Sequence, residues 1–381
     1  MNVSRRAVLG AALGTVAAAA GGCARGADPS TGGGSPGKTL NIGLLWTRTG
    51  DKLAIAESTR YEQGLRGGLL WVTNRTGQIG VRTLKTVKVD DQGDPAVAAA
   101  AAEDLVNRGC RILVGGFAGP VALRLAEVAA RRKVLFIAAT STADELTGTN
   151  RYTFRDGPEI TQLLMAAKTY VKPGHRLAVL AADQATATKA ATVLGAATTI
   201  VAPATTTDFT AIGKRIRAAR ADQIYVDWPV TAPRLWEAIP AGVEPITILG
   251  ARATWPAYGA AAGSLQFVTA YVDTATNNMA YQALRGAVPN RRIDTGHAEG
   301  FTASQMIVRA FQYGPQSVDD MIRSLEGLGF GGVKTGLTIR ARDHLLLQPL
   351  YGGRLTWTGA SGAITAVTTR AFQPAETTTP L

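Results

Sequence analysis

Short, continuously apolar runs alternate with helix-length segments along nearly the whole chain from residue 39 onward. The runs are Leu40–Trp46, Thr86–Val89, Ile112–Val114, Val134–Ala138, Leu177–Ala181, Ile224–Asp227, Ile246–Leu249 and Phe267–Val272. They do not alternate between apolar and polar residues, which is the pattern of parallel strands covered by helices on both faces. The segments between them carry helix starts. Asp94 followed by Pro95 supplies an N-cap and a proline at the first helical position, leading an alanine-rich stretch to Arg108. Asp208 stands at the head of a helix over Phe209–Ala219, and Ser317 with Asp320 forms a capping-box-like start for a helix running through Leu328. Repeated strand–helix alternation predicts α/β architecture with doubly wound parallel sheets and right-handed crossovers. The 381 residues are too many for one compact core, and the strand runs too many for one sheet of usual size, so two lobes are expected.

Composition narrows the chemistry. With 46% hydrophobic and 18% charged residues the chain can bury substantial apolar surface, which excludes a disordered or fibrous protein. Two cysteines exclude a disulfide scaffold and a four-thiolate zinc site, and the histidines at 175, 297 and 344 are too dispersed for a histidine-rich metal site. Neither a metal nor a cofactor is expected. No Gly-x-x-x-x-Gly-Lys-Ser/Thr loop, Gly-x-Ser-x-Gly elbow or His-Glu-x-x-His helix occurs, and Gly332 to Gly336 and the scattered double glycines read as turns. The net charge of +12 is spread along the chain. Its densest cluster, Arg131-Arg132-Lys133, has no aromatic interleaving, which argues against nucleic acid and for a solvated surface facing anionic lipid heads. Cys110, between Arg108 and the run Ile112–Val114, reads as a small buried hydrophobe.

The N-terminus reads as an address. Ser4-Arg5-Arg6 precedes Ala7 to Gly22, a stretch without a charged side chain and too short for a permanent membrane span. It ends in Ala20-Gly21-Gly22-Cys23, which resembles a bacterial lipobox with alanine where leucine is usual. The paired arginines resemble a twin-arginine export signal. Residues 1–22 are therefore expected to be a signal peptide, with Cys23 lipidated at the outer face of the cytoplasmic membrane. Residues 23–38, rich in Gly, Ser, Pro and Thr, are then a flexible tether.

The residues just beyond the strands are hydroxyls, an aspartate, an arginine and aromatic rings, which orient a small polar solute and offer no activated nucleophile. Binding rather than catalysis is expected. The order of motifs carries a resemblance: Asn41-Ile-Gly-Leu-Leu45, Val89-Asp-Asp-Gln-Gly-Asp-Pro95, Phe136-Ile-Ala-Ala-Thr-Ser-Thr-Ala-Asp-Glu-Leu-Thr147, Tyr152-Thr-Phe-Arg-Asp156, Thr206-Thr-Asp-Phe-Thr-Ala211, Leu325-Glu-Gly-Leu328 to Gly336-Leu-Thr338, and Gln348-Pro-Leu-Tyr351. In this colinear order, over roughly residues 39–358, the chain resembles the leucine/isoleucine/valine-binding protein family, type I periplasmic binding proteins that serve ABC importers. The resemblance implies two lobes joined by three crossover strands, 39–158 with 276–340 and 159–275 with 341–374, closing by a hinge on a solute that an ABC permease then receives. A surface lipoprotein of the same fold, reporting the solute to a signalling partner, is the alternative.

The resemblance also assigns positions. Thr142, with Thr140 and Ser141 beside it, matches the threonine that holds a carboxylate in amino-acid binders; the competing reading is a Ser/Thr turn capping the next helix. The companion serine falls on Gly119, which removes a hydroxyl, and Phe117 nearby reads as an apolar wall or as core. Aromatic positions of the second lobe fall on Thr186 and at Asp227-Trp228. Trp228 is either a ring stacked on the solute or a buried aromatic. The acidic residue that pairs the ammonium falls on Arg252, which favours an anionic group or forms an interlobe ion pair, and Asp227 could take over the ammonium. Phe301 matches a cleft aromatic of the hinge-proximal helix. The expected outcome for the N-terminal assignment is that Cys23→Ser moves the protein from the membrane fraction to the soluble fraction; unchanged membrane retention overturns it.

Overall fold

The computed structural model describes residues 39–228, 233–358 and 363–378. The signal peptide, Cys23 and the tether lie outside the described residues. The first sheet is built from β1 (Thr39–Trp46), β2 (Gln78–Ile79), β3 (Arg82–Asp90), β4 (Ile112–Gly115), β5 (Leu135–Ala138) and β6 (Thr153–Arg155), in the order β2-β3-β1-β4-β5-β6. All pairs are parallel except β2 with β3. Helices α1 (Lys52–Val72), α2 (Pro95–Asn107) and α3 (Gly119–Arg132) connect its strands. Alternate residues of each strand enter opposite cores: Ile42, Leu44, Val114 and Ile137 on one face, Leu45, Leu113, Phe136 and Ala138 on the other. That double burial is why the runs show no polar alternation. Asp94 caps α2 through the Ala96 and Val97 amides. Cys110 is buried in the second of these cores.

After α4 (Ile160–Lys168) the chain enters a second sheet: β7 (Leu177–Ala181), α5 (Gln184–Leu194), β8 (Thr198–Val201), α6 (Thr210–Ala218), β9 (Gln223–Asp227), α7 (Pro233–Ala238), β10 (Glu244–Ile248) and β11 (Gln266–Thr269). It then returns through α8 (Met279–Ala287), α9 (Thr295–Gln312) and α10 (Val318–Leu325) to a small antiparallel sheet of β12 (Gly329–Gly332), β13 (Thr335–Ile339) and β14 (Leu346–Leu347). Leu337, Ile339 and Leu346 of this sheet join the first lobe's core. A last passage leads to β15 (Leu350–Thr358) and β16 (Ala363–Phe372), which complete the second sheet in the order β16-β15-β11-β10-β9-β7-β8. The α/β, two-sheet architecture is thus present, with two departures. β15 and β16 join it antiparallel, with β16 at the edge. α10 stops at Leu325 instead of Leu328, because Glu326 is extended and Gly327 takes φ +74°. Asp208 lies one residue before the cap position and still accepts the Thr210 amide at 2.9 Å.

α1 and α9 cross at close range, with glycines facing the partner backbone. A Cβ at Gly300 would overlap the Tyr61 carbonyl, and one at Gly64 would overlap the His297 carbonyl. The crossing seats the start of α9 beside the passages between the sheets, and no side chain can be inserted without moving backbone. Gly300→Ala is expected to lower stability by about 1–3 kcal/mol, read as a reduced urea midpoint with unchanged slope.

Candidate functional site

The carboxyl ends of the two sheets face one another, and a cavity of about 570 Å³ lies between them. The first lobe contributes Phe117 and Gly119 beyond β4 and residues 140–145 beyond β5; the second contributes Ile160 and Leu164 of α4, Thr186 and Lys189 of α5, Asp227 and Trp228 at the end of β9, and Thr247 and Ile248 of β10. Strand ends in open α/β sheets converge on such crevices, because the chain must turn there and exposes backbone amides and short polar side chains.

Of the residues singled out from sequence, Gly119, Thr140, Ser141, Thr142, Thr186, Asp227 and Trp228 line this cavity. Thr140 adopts φ +51°, a left-handed conformation rare for a β-branched residue, and its amide donates to Asp156 Oδ1 at 3.2 Å. Ser141 is buried and its carbonyl accepts from the Arg155 guanidinium at 2.7 Å, while the Thr142 carbonyl accepts the Ile160 amide at 2.7 Å. These bonds fix the turn and leave Thr142 exposed, its hydroxyl with no partner among the described residues. Gly119 is an open position: a Cβ there would meet only Ala143 Cβ, at 3.5 Å.

The opposite wall differs in kind. The Thr186 amide and hydroxyl both donate to Asp183, at 2.9 and 2.8 Å, so this hydroxyl closes the start of α5. The Trp228 indole N–H donates to the Ala202 carbonyl at 2.8 Å and its ring meets Phe209 edge-on, which makes it a largely packed aromatic with one margin on the cavity. Asp227 is half-buried. No described residue donates a hydrogen bond to its carboxylate, and burial, aided by the nearby Asp183 charge, raises its pKa.

Two expected residues lie elsewhere. Arg252 is not on the cavity: its amide donates to Asp294 Oδ1 at 3.1 Å, its guanidinium reaches Asp273 at 3.7 Å, and it lies 4.7 Å over the Trp255 ring. It is an ion-pair residue at the junction with α9, and an anion preference cannot be read from it. Phe301 is fully buried in the core, against Trp71 at 5.2 Å, because the α1–α9 crossing turns its helix position inward.

Sequence reasoning passed over Lys189 and Asp144. Lys189 Nζ sits 2.7 Å from Asp144 Oδ2, whose oxygens also accept from Thr161, so this carboxylate of the first lobe clasps α4 and α5 of the second. Lys189 lies one turn beyond Thr186 on the same helix face, a spacing that could have found it. Phe117 lines this cavity and also a second, largely apolar one of about 570 Å³ between α1, the β3–α2 turn and residues 250–254. It packs edge-on against Tyr61 and separates the two chambers. A larger groove of about 1350 Å³ runs between α1, α8 and α9, but it draws on those helices and neighbouring strands of the first lobe and lies away from the facing strand ends.

Behind the 140–142 turn lies a buried cluster of charge. Lys334 has none of its side chain exposed and donates to Gln348 Oε1 at 2.7 Å and to the Asp156 carbonyl at 3.3 Å, with Glu299 Oε1 at 3.7 Å. Asp156 also accepts from the Tyr61 hydroxyl. Burial, opposed by the lysine, raises Asp156 to about 6 and Glu299 to about 8, and it lowers Lys334. Arg155 donates to the carbonyls of Ser141, Ala143, Gly157 and Pro158. No group of three or more metal-ligating side chains occurs among the described residues, and no described helix is long and apolar enough to cross a membrane.

A two-sheet α/β architecture of this kind has known counterparts. The model of the periplasmic binding protein family matches residues 39–362. A Leu/Ile/Val-binding protein of Rhizobium johnstonii is 28% identical over 199 residues, 49% of this chain and about half (53%) of that relative. Among solved structures, an ABC-type branched-chain amino acid transporter protein of Rhodopseudomonas palustris CGA009 superposes with a TM-score of 0.80 at 28% identity, covering 90% of this chain and 98% of that one. A solute-binding protein of an ABC transporter from Rhodopseudomonas palustris HaA2, solved with p-hydroxybenzoic acid, gives 0.77 at 18% identity, covering 88% and 97%; this likeness is one of fold.

Two outcomes test the site's physics. The folded state keeps protons on Asp156 and Glu299 after the unfolded chain, with carboxylates near 3.8 and 4.5, has released them. Their contribution to stability therefore falls as pH rises from about 4.5 to about 8. Glu299→Gln is expected to flatten that decline in denaturant midpoints measured at pH 5 and pH 8, and an unchanged slope overturns the assignment. Gly119→Ser is expected to fold with a midpoint within about 0.5 kcal/mol of the parent, because its hydroxyl enters open space.

Proposed function

From the premise that this chain belongs to the periplasmic binding protein family, we propose that it is the extracytoplasmic solute-binding component of an ABC importer. In this reading it captures a small polar organic molecule, an amino acid or a carboxylate- or amide-bearing compound, in the cavity between the sheets. The observation that carries the reading is that this cavity lies where the carboxyl ends of two sheets face one another, lined from both. Its first-lobe wall offers the 140–142 turn with the free Thr142 hydroxyl, and its second-lobe wall offers Asp227, the margin of Trp228 and Lys189. A solute touching both walls binds the closed arrangement better than an open one, so its differential affinity shifts the equilibrium toward closure. The lobes are taken as residues 39–158 with 276–340 and 159–275 with 341–374, so that three passages act as the hinge. A permease in the membrane then receives the closed form, and acylation at Cys23 would keep the receptor beside it.

The chamber volume suits a small organic ligand. That the related structures include one with p-hydroxybenzoic acid and one of a branched-chain amino acid transporter supports a search over both acid and amino-acid chemistry. A thermal-shift screen over amino acids, organic acids, amides and aromatic acids tests the assignment. At 100 times its dissociation constant, the right solute adds about 2.7 kcal/mol of stability and should make the scattering profile more compact. Absence of both effects for every solute overturns the proposal. Thr142→Ala is expected to fold normally and to weaken the identified solute about tenfold by calorimetry, the loss of about one hydrogen bond to a polar group.

A further inference from the structure

We infer that the end of the first lobe opposite the cleft, around the groove between α1, α8 and α9, is a face that docks on the surface of an anionic phospholipid bilayer. The inference goes beyond solute capture and takes from that reading only the anchoring at Cys23. Arg66, Arg75 and Arg309 line this groove, and no carboxylate does. None of the three enters an ion pair among the described residues; Arg309 donates instead to the Tyr313 hydroxyl at 2.8 Å. Arg82, in register with Ile79 of the groove, extends the basic edge. Arg131-Arg132, in the densest basic cluster of the sequence, differs: Glu103 meets both guanidiniums there.

Apolar side chains are exposed at the same place. The three most exposed large ones among the described residues are Val81 (87%), Met279 (82%) and Tyr313 (72%). Met279 lines the groove, Val81 stands in the β2–β3 turn beyond Ile79, and Tyr313 follows Gln312 at the end of α9. Single exposed apolar residues are ordinary, but these extremes gather around arginines without counter-charges. That is the composition of a face lying in a membrane interface, where apolar groups enter between headgroups and guanidiniums meet phosphates.

The point of attachment selects the partner. Thr39 pairs with Thr83, and Thr83 with Gln78 of the groove, so two strand spacings, roughly 10 Å, separate the start of β1 from this face. Thr39 and Arg82 also line one small hollow together with Phe311 of α9. Residues 23–38 extend at most about 55 Å, so an anchor at Cys23 keeps this face within reach of lipid and raises the effective concentration of headgroups around it. A diffusing acidic protein has no such advantage. Docking here leaves the cleft uncovered. The cap of α1, Asp51, lines the apolar chamber beside Phe117, whereas its last turns line the groove, about 30 Å further along the helix. A receptor resting on this face takes solute from the solution side and must leave the lipid surface to turn its cleft to a permease.

The test mixes the full chain with unilamellar vesicles of phosphatidylcholine, alone or with half the lipid as phosphatidylglycerol, and reads amide hydrogen exchange by mass spectrometry. Residues 1–38 are the same in every arm, so their own contribution to membrane binding cancels. With phosphatidylglycerol at about 0.1 M salt, exchange over 66–82, 279–287 and 305–313 is expected to slow at least about threefold relative to phosphatidylcholine, and to recover at about 0.5 M salt as the attraction is screened. Arg66→Gln with Arg75→Gln and Arg309→Gln is expected to remove this protection. Lys214→Gln with Arg217→Gln and Arg234→Gln, three exposed cations of α6 and α7, is expected to leave it. If the first triple variant does not fold by circular dichroism, the salt dependence and Met279→Ser, expected to lower the protection at least about twofold, decide. Protection that is absent, equal in both lipids or centred on the second lobe overturns the inference. So does protection that appears without vesicles as protein concentration rises, which assigns the face to a second copy of the chain. Neither triple variant is expected to change which amino acids or organic acids raise the melting temperature, so failure of the solute-binding reading and failure of this one are separate results.

Discussion

A lysine with no exposed side-chain surface holds together the places where the chain passes between its sheets. Lys334, in the β12–β13 turn, meets the carbonyl of Asp156 in the first passage, Gln348 in the last and Glu299 on α9, while its own carbonyl accepts the Tyr351 hydroxyl at 3.2 Å. An ammonium buried this deeply persists only where its charge and protons are matched, and removing one partner leaves the rest uncompensated. The cluster reaches the cleft through one bond, since Asp156 also holds the Thr140 amide that shapes the turn bearing Thr142. Junction and cavity wall are therefore one hydrogen-bonded unit.

The cleft is asymmetric for a related reason. On the first lobe, backbone groups of the 140–145 turn are fixed by Arg155, whose guanidinium is almost wholly inside the protein and donates to four carbonyls around it. What remains on that wall is the Thr142 hydroxyl and the exposed Glu145 carboxylate. On the second lobe the Thr186 and Thr247 hydroxyls, the Trp228 N–H and the Lys189 ammonium are all engaged, within that lobe or across the clasp. The Asp144–Lys189 pair is partly exposed, so its strength depends on ionic strength and its direct contribution is of order 1 kcal/mol or less. It biases the approach of α5 to the first lobe without locking it.

Much of the fold was legible because its strands are doubly buried: the runs ending at Trp46, Val114 and Ala138 announce parallel strands by their lack of alternation. The same logic hid β15 and β16, where exposed Arg354 and Thr356 interrupt buried Leu355 and the pattern is that of an edge hairpin. At the site, residues adjoining a strand end were readable because topology places them. Arg252 and Phe301 were not, since their roles depend on where a neighbouring element directs the side chain: Asp273 and Trp255 take the guanidinium, and the glycine-mediated helix crossing turns the ring into the core. The Asp144–Lys189 contact joins residues 45 positions apart and has no local signature.

The terminal hairpin sets a constraint on biogenesis. β11 pairs on one side with β10, a near neighbour in sequence, and on the other with β15, so that Gln266 must wait for Arg354. Neither lobe can be finished during synthesis until the chain is almost complete, because the first also needs α9 and the β12–β14 sheet. A nascent molecule therefore carries an unpaired, apolar strand margin from the appearance of β11 until β15 follows, the kind of edge that recruits other chains. Late assembly of the second sheet follows from the order in which its strands are threaded.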